Sequence, residues 1–207
     1  NNKRNAVLRL AKLRAHNPVP ISGLDVLLAN QVYFYDNPER FTASVNAICD
    51  ELEQRIANKV GVFSEGTPRI LVSGCPMAVP NWKIPHIIET SGATIVGEEM
   101  CTGERGTQNL TNVNGNTIDE LIDNIVDRYM KIDCAIFTPN QSRLDHIKEM
   151  ATKYKADGVI NYSLQFCQPY THESMTFGKE LENEGIPVLN LETDYSQEDV
   201  EIGRAHV

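Results

Sequence analysis

Apolar residues recur at helical spacing through residues 1–60. Ala6, Leu8, Leu10, Ala11 and Leu13 open an amphipathic helix, which His16-Asn17-Pro18-Val19-Pro20 breaks. A second helix begins near Gly23-Leu24-Asp25 and carries Val26, Leu27, Leu28 and Val32. A third spans about Pro38 to Lys59, with Phe41, Val45, Ile48, Leu52 and Ile56 three or four residues apart. After the loop from Gly61 to Pro68 the grammar changes. Arg69-Ile-Leu-Val-Ser73 is a short apolar run of the kind that forms a buried parallel strand. Pro80 to Ser91 reads as a helix ended by Gly92, and Ala93-Thr-Ile-Val96 as the next strand.

Thr117-Ile-Asp-Glu120 has the form of a capping box. Behind it Ile118, Leu121, Ile122, Ile125, Val126 and Tyr129 share one face of a helix. A further helix runs from about Ser142 to Lys155, and Val159-Ile160-Asn161-Tyr162 is a strand. The last helix covers roughly Thr171 to Glu184, and Ile186-Pro-Val-Leu-Asn-Leu191 is the last strand. Helix, glycine, strand thus occurs three times, at Ser91-Gly92-Ala93, Asp157-Gly158-Val159 and Glu184-Gly185-Ile186. Repeated units of this kind predict an α/β fold, a Rossmann-like or flavodoxin-like parallel sheet flanked by helices. The predicted domain occupies 62–201. Residues 1–61 read as a helical connector that continues from a truncated upstream domain. Residues 202–207, Ile-Gly-Arg-Ala-His-Val, resemble translated adapter sequence and are set aside as a non-native tail.

Composition narrows the functional classes. The 207 residues are 41% hydrophobic and 23% charged, which excludes wholesale disorder. The formal net charge of -9 leaves no general electrostatic footprint for nucleic acid or an anionic membrane. No apolar run approaches the ~18–20 residues of a membrane helix. No export signal is visible, so a cytoplasmic protein with reduced thiols is expected.

The cysteines are Cys49, Cys75, Cys101, Cys134 and Cys167. Cys49 lies beside the apolar stripe of a helix and reads as a small core residue. The other four lie in loops. Cys75 follows the first strand, Cys101 the second and Cys167 the third, while Cys134 sits between two long helices. Ligands bind outside the carboxyl ends of the strands in open parallel sheets. Four thiols there point to a metal or an iron–sulfur cluster. No C-x-x-C knuckle of a structural zinc site is present. Each thiol taken alone also reads as an inert buried group.

Other signatures are missing. No G-x-G-x-x-G follows a strand, and there is no P-loop, H-E-x-x-H or G-x-S-x-G. Among the remaining polar residues, His172 and Glu173 are acid–base candidates near Cys167, or merely polar residues at a helix start. Glu98 and Glu99 read either as catalytic carboxylates or as a solvated strand end. Arg105 would hold a phosphate or carboxylate, or pair with Glu104.

Ser73-Gly-Cys-Pro-Met77, Pro80-Asn-Trp-Lys83, Glu98-Glu-Met-Cys-Thr-Gly-Glu-Arg105, Cys134-Ala-Ile-Phe-Thr-Pro-Asn140, Leu164-Gln-Phe-Cys167 and Glu192-Thr-Asp-Tyr-Ser196 occur in this order. Together they resemble the 2-hydroxyacyl-CoA dehydratase family, which includes the D-component of 2-hydroxyglutaryl-CoA dehydratase and benzoyl-CoA reductase subunits. The nearest branch looks like the single-subunit members with a double-cubane cluster. The resemblance implies an oxygen-sensitive iron–sulfur cluster, 4Fe–4S or double-cubane, between two Rossmann-like domains. It implies Cys75, Cys101, Cys134 and Cys167 as ligands, with further ligands upstream of Asn1. Relatives often place a second cysteine where this chain has Ala135-Ile136.

The chemistry implied is radical dehydration. One low-potential electron on the thioester expels the 2-hydroxyl and acidifies the β-proton. An ATP-hydrolysing iron–sulfur activator protein would deliver that electron, and acyl-CoA or another small molecule would be the substrate. A homo- or heterodimer is expected, with no nucleic acid or membrane partner. Two other readings stay open: a double-cubane reductase that does not act on acyl-CoA, and a non-catalytic metal-binding or regulatory module.

Overall fold

The computed structural model describes residues 1–196; the segment 202–207 set aside above, and the end of the 62–201 domain, lie outside the described residues. The chain opens with α1 (Asn2–Leu13), α2 (Gly23–Val32) and α3 (Pro38–Ala57). Local chemistry fixes where these helices begin. The Ser22 hydroxyl accepts the Asp25 N–H at the start of α2. The Asn37 side chain accepts the Glu39 and Arg40 N–H groups at the start of α3, where Pro38 occupies the first turn. The three helices bury a common core of Leu10, Val26, Phe41, Val45, Cys49 and Leu52. Part of the α2 stripe stays at the surface, with Leu28 and Val32 exposed.

The sheet has four parallel strands: β1 (Arg69–Gly74), β2 (Thr94–Glu99), β3 (Gly158–Leu164) and β4 (Val188–Thr193). Their order is β2-β1-β3-β4, as the repeated helix–strand units predict. Between β1 and β2 lies α4 (Lys83–Thr90). Between β2 and β3 come α5 (Glu104–Thr107), α6 (Ile118–Tyr129) and α7 (Gln141–Tyr154), and α8 (Gln168–Asn183) joins β3 to β4. Alternate residues of β1 feed opposite cores. Val72 packs with Leu27, Ile84, Ile88 and Ile160, whereas Leu71 packs with Leu144, Ile147, Met150 and Phe177. Helices therefore cover both faces, the doubly wound arrangement.

The chain runs from β1 outward to β2, then returns to place β3 on the other side of β1. The strand order thus reverses between β1 and β3, which opens a crevice at their carboxyl ends. Two of the three helix–glycine–strand units end as their sequence predicts, with Gly92 and Gly185 at φ +96° and +81°. In the third, Lys155 takes the left-handed position at φ 51°, and Gly158 is the first residue of β3.

The helical segment is fastened to the sheet. Ala11 enters the core on the α7–α8 side and Leu27 the core on the α4 side. Arg14 Nη1 donates to Glu98 Oε1 at 2.7 Å, with both side chains buried. The Glu89 carboxylate of α4 accepts the N–H groups of Gly23 (2.6 Å) and Leu24 (3.3 Å) at the positive end of α2. Among the described residues no helix is long and apolar enough to cross a membrane.

α6 carries its predicted capping box, with Thr117 and Glu120 bonded reciprocally, yet its apolar stripe is uncovered. Ile118, Leu121, Ile122, Ile125, Val126 and Tyr129 are all exposed, and Arg128 is the helix's only buried residue. Ile125→Asp is accordingly expected to change unfolding free energy by less than about 0.5 kcal/mol. Leu144→Ala, deep in the α7 core, is expected to cost about 2–5 kcal/mol. Urea unfolding of the two variants checks this, and a large loss at Ile125 would contradict the exposed stripe.

Candidate functional site

β1 ends at Gly74 with φ +128°, where a Cβ would lie 1.9 Å from the Tyr162 carbonyl oxygen. Only glycine permits this approach to β3. It places Cys75 directly at the crevice: its N–H donates to the Tyr162 carbonyl at 2.9 Å, and its Sγ accepts the Leu164 N–H at 3.4 Å. Cys167, half-buried just beyond β3, packs against the core cluster that holds Cys75 and is close enough to act on its thiol. Burial, joined by that neighbouring thiol, pushes Cys75 up to about 12, against the opposing effect of the Leu164 N–H.

Cys101 lies two residues beyond β2 and is exposed, with its Sγ 3.8 Å from Arg105 Nη1. Cys134 is half-buried in the α6–α7 connection, where its carbonyl accepts Asn140 Nδ2 at 2.9 Å. It is close enough to Tyr170 to act on the charge of that phenol. Tyr170 in turn accepts a hydrogen bond from Arg105, the residue that reaches Cys101. Cys49 stands apart, buried between α1 and α3.

This donor set has a definite character. Among the described residues no three His, Cys, Asp or Glu side chains converge as a single metal ion requires. The soft donors present, one thiol per loop, are of the type that would hold an iron–sulfur cluster. The Leu164 N–H on Cys75 and the Arg105 guanidinium on Cys101 are the kind of hydrogen bonds to sulfur that tune such a cluster.

A buried charge network underlies the cysteines, and it revises two readings of the sequence. Glu99 is neither a solvated strand end nor an open carboxylate: it is fully buried. Its Oε2 accepts Arg105 Nη2 at 2.7 Å, Arg143 Nε at 3.0 Å and the Ser73 hydroxyl at 2.7 Å, and Arg105 Nε bonds Oε1. Arg105 therefore holds an internal carboxylate, not Glu104, which instead takes Tyr154 and Lys153. Arg143 continues the chain with Nη2 on Ser73 Oγ at 2.8 Å and Nη1 on Glu173. Burial opposes the charge on Glu99, but the two guanidiniums outweigh it and hold its carboxyl below the ordinary range. Each cysteine loop contains or borders a member: Ser73 before Cys75, Glu99 and Arg105 around Cys101, Arg143 after the Cys134 loop, and Tyr170 after Cys167.

Sequence reasoning passed over Arg143 as a site residue. The signal was present: it is a charged residue in phase with Ile147, Met150 and Tyr154 on the buried face of α7. His172 and Glu173 line a cavity of about 520 Å³ together with Ile136, Gln168 and Phe177, between the Cys134 and Cys167 loops. Burial raises the Glu173 carboxyl above its usual value even though Arg143 opposes it. A carboxyl so placed can exchange a proton with a molecule in that cavity.

Thiol chemistry follows from these placements. In the reduced, metal-free protein near pH 8, iodoacetamide is expected to modify exposed Cys101 at least about tenfold faster than Cys49 or Cys75, because the thiolate is the reacting form. Burial pushes Cys49 up to about 11 and Cys75 to about 12. Peptide mass spectrometry over time checks the order; equal rates would contradict it.

An open, doubly wound parallel sheet with helices on both faces and a crevice at its switch point defines an α/β domain of the ligand-binding kind. Comparison with known proteins sharpens this. Residues 1–207 match the family described as 2-hydroxyglutaryl-CoA dehydratase, D-component, and the chain belongs to that family. It is 33% identical over 206 residues to the putative dehydratase subunit YjiM of Escherichia coli (strain K12), covering 97% of this chain and 51% of that protein. It is 28% identical over 176 residues to the (R)-phenyllactyl-CoA dehydratase beta subunit of Clostridium sporogenes, covering 84% and 44%. The chain spans about half the length of these curated relatives.

Proposed function

We propose that this chain is the iron–sulfur part of a radical-type 2-hydroxyacyl-CoA dehydratase. The observation that carries the reading is the pairing of Cys75 and Cys167 across the switch point, with Cys101 and Cys134 one loop away. Cys75, Cys101, Cys134 and Cys167 would hold the cluster. A low-potential cluster would supply single electrons, received from an ATP-hydrolysing activator protein.

The chain's own residues do the remaining work. Leu164 N–H and Arg105 donate to the ligand sulfurs, and Glu99 with Arg143 fixes the loops that carry them. The cavity beside Cys134 and Cys167 receives the acyl group, with Ile136 and Phe177 on its apolar wall. Glu173, with its raised carboxyl, exchanges the β-proton, and His172 lies next to it. The net reaction removes water across the α and β carbons with no net oxidation, so the electron is recovered each turnover. The relatives named as subunits support assembly with a second protein chain.

The experiment uses the full-length protein, purified without oxygen and mixed with its activator, ATP and a panel of 2-hydroxyacyl-CoA thioesters. Formation of the matching enoyl-CoA by at least one thioester is the expected result. Reduction of small molecules without thioester turnover would favour the reductase reading instead.

A further inference from the structure

A second cleft, of about 200 Å³, opens beside Cys101 and shares Arg105 with the charge network. Arg105 is answered by Glu99, which leaves Arg4 and Arg128 as the cleft's other cationic groups. Arg128 is buried at 4% exposure, and it donates through Nε to the Asn109 carbonyl at 3.0 Å and through Nη2 to the Gly106 carbonyl. Arg4 has only long contacts, 3.5 Å to Asn1 Oδ1 and 3.4 Å to Thr111 Oγ1, and its buried Nε has no partner. Among the described residues neither guanidinium meets a carboxylate, although acidic residues outnumber Lys and Arg by 28 to 19 in this chain. Among the other buried arginines, Arg14, Arg105 and Arg143 are answered by glutamates, and Arg69, like Arg128, by backbone carbonyls, four of them.

Two guanidiniums close enough to repel one another, one of them desolvated, form an arrangement that an anion would relieve. The remaining wall is apolar and aromatic, with Tyr33, Phe34 and Tyr129. The volume lies below the ~300 Å³ at which typical ligand pockets begin, which excludes a nucleotide.

We infer that this cleft binds a small organic carboxylate, its charge between Arg4 and Arg128 and its apolar tail against the aromatic wall beside Cys101. Arg is suited to this because its planar fork matches a carboxylate. The cleft shares Cys101 and Arg105 with the proposed cluster site, but the two charges the inference uses, Arg4 and Arg128, touch neither the cysteines nor Glu99.

Isothermal titration of the full-length protein with phenylacetate and with its neutral amide, phenylacetamide, tests it. The acid is expected to bind at least about tenfold tighter than the amide, the size of one charge-assisted hydrogen bond. Arg4→Gln is expected to remove that preference and Arg4→Lys to restore part of it; Arg4 is only half-buried, so both variants should fold. Equal binding of acid and amide, binding unaffected by Arg4→Gln, or no binding to folded wild type would each overturn the inference. The last result would assign the cleft to a covering protein segment.

Discussion

Glu99→Ala is expected to lower the melting temperature by roughly 10 °C. Its carboxylate is fully buried and stands between Arg105 and Arg143, with Ser73 as a further donor. Removing it leaves two desolvated guanidiniums without a counter-charge. Breaking a buried ion pair from one side costs about 3–5 kcal/mol, and a domain of this size loses ~2–4 °C for each kcal/mol. By contrast Glu53→Ala, which removes an exposed partner of Arg9, is expected to cost less than about 1 kcal/mol. Differential scanning calorimetry of the two variants measures the difference. The same network sets an acid limit. The folded Glu99 carboxyl is held below its unfolded value, so its stabilisation is complete above the unfolded value, ~4.3 for a glutamate, and is lost as pH falls through the folded one. Wild type should therefore lose stability with acid below about pH 4.5 more steeply than Glu99→Gln, which has no proton to take up there.

Cys167→Ser is expected to remove iron and activity together from the full-length protein prepared without oxygen. The thiol it removes is the one that meets Cys75 across the switch point. Serine keeps the shape and takes away the soft sulfur ligand that iron–sulfur clusters require. Cys49→Ala supplies the control. That thiol is buried among α1 and α3, so the variant should lose some stability and keep its iron. Iron analysis of both proteins reads the outcome. Full iron and turnover in Cys167→Ser would leave the family membership as a matter of shared fold.

β1, β2 and β3 were legible because they are buried on both sides, and the more exposed β4 because a glycine ends the helix before it. Ile70, Leu71 and Val72 form a continuous apolar run, and the helices between strands carry their own period. The loop cysteines were legible because strand ends follow from strands. The support beneath them was less so. Glu99 and Arg105 look like surface charges when read singly, since nothing local distinguishes a solvated pair from a buried one. Their partners Arg143 and Ser73 are 44 and 26 residues from Glu99, and the fold alone brings them together. The α6 stripe shows the opposite limit. Its period identifies a helix with one apolar face, but period does not say what covers that face, and here it lies open. α5 (Glu104–Thr107) is too short to carry a period at all, although it positions Arg105.

The most direct test is the iron and acid-labile sulfide content of the full-length protein purified under strict anoxia, read alongside its electron paramagnetic resonance spectrum after reduction. Iron and sulfide in equal amounts, at least about four of each per chain, with a reduced-cluster signal that is lost in Cys167→Ser, is the result expected. An iron-free protein that still dehydrates a 2-hydroxyacyl-CoA would contradict the account.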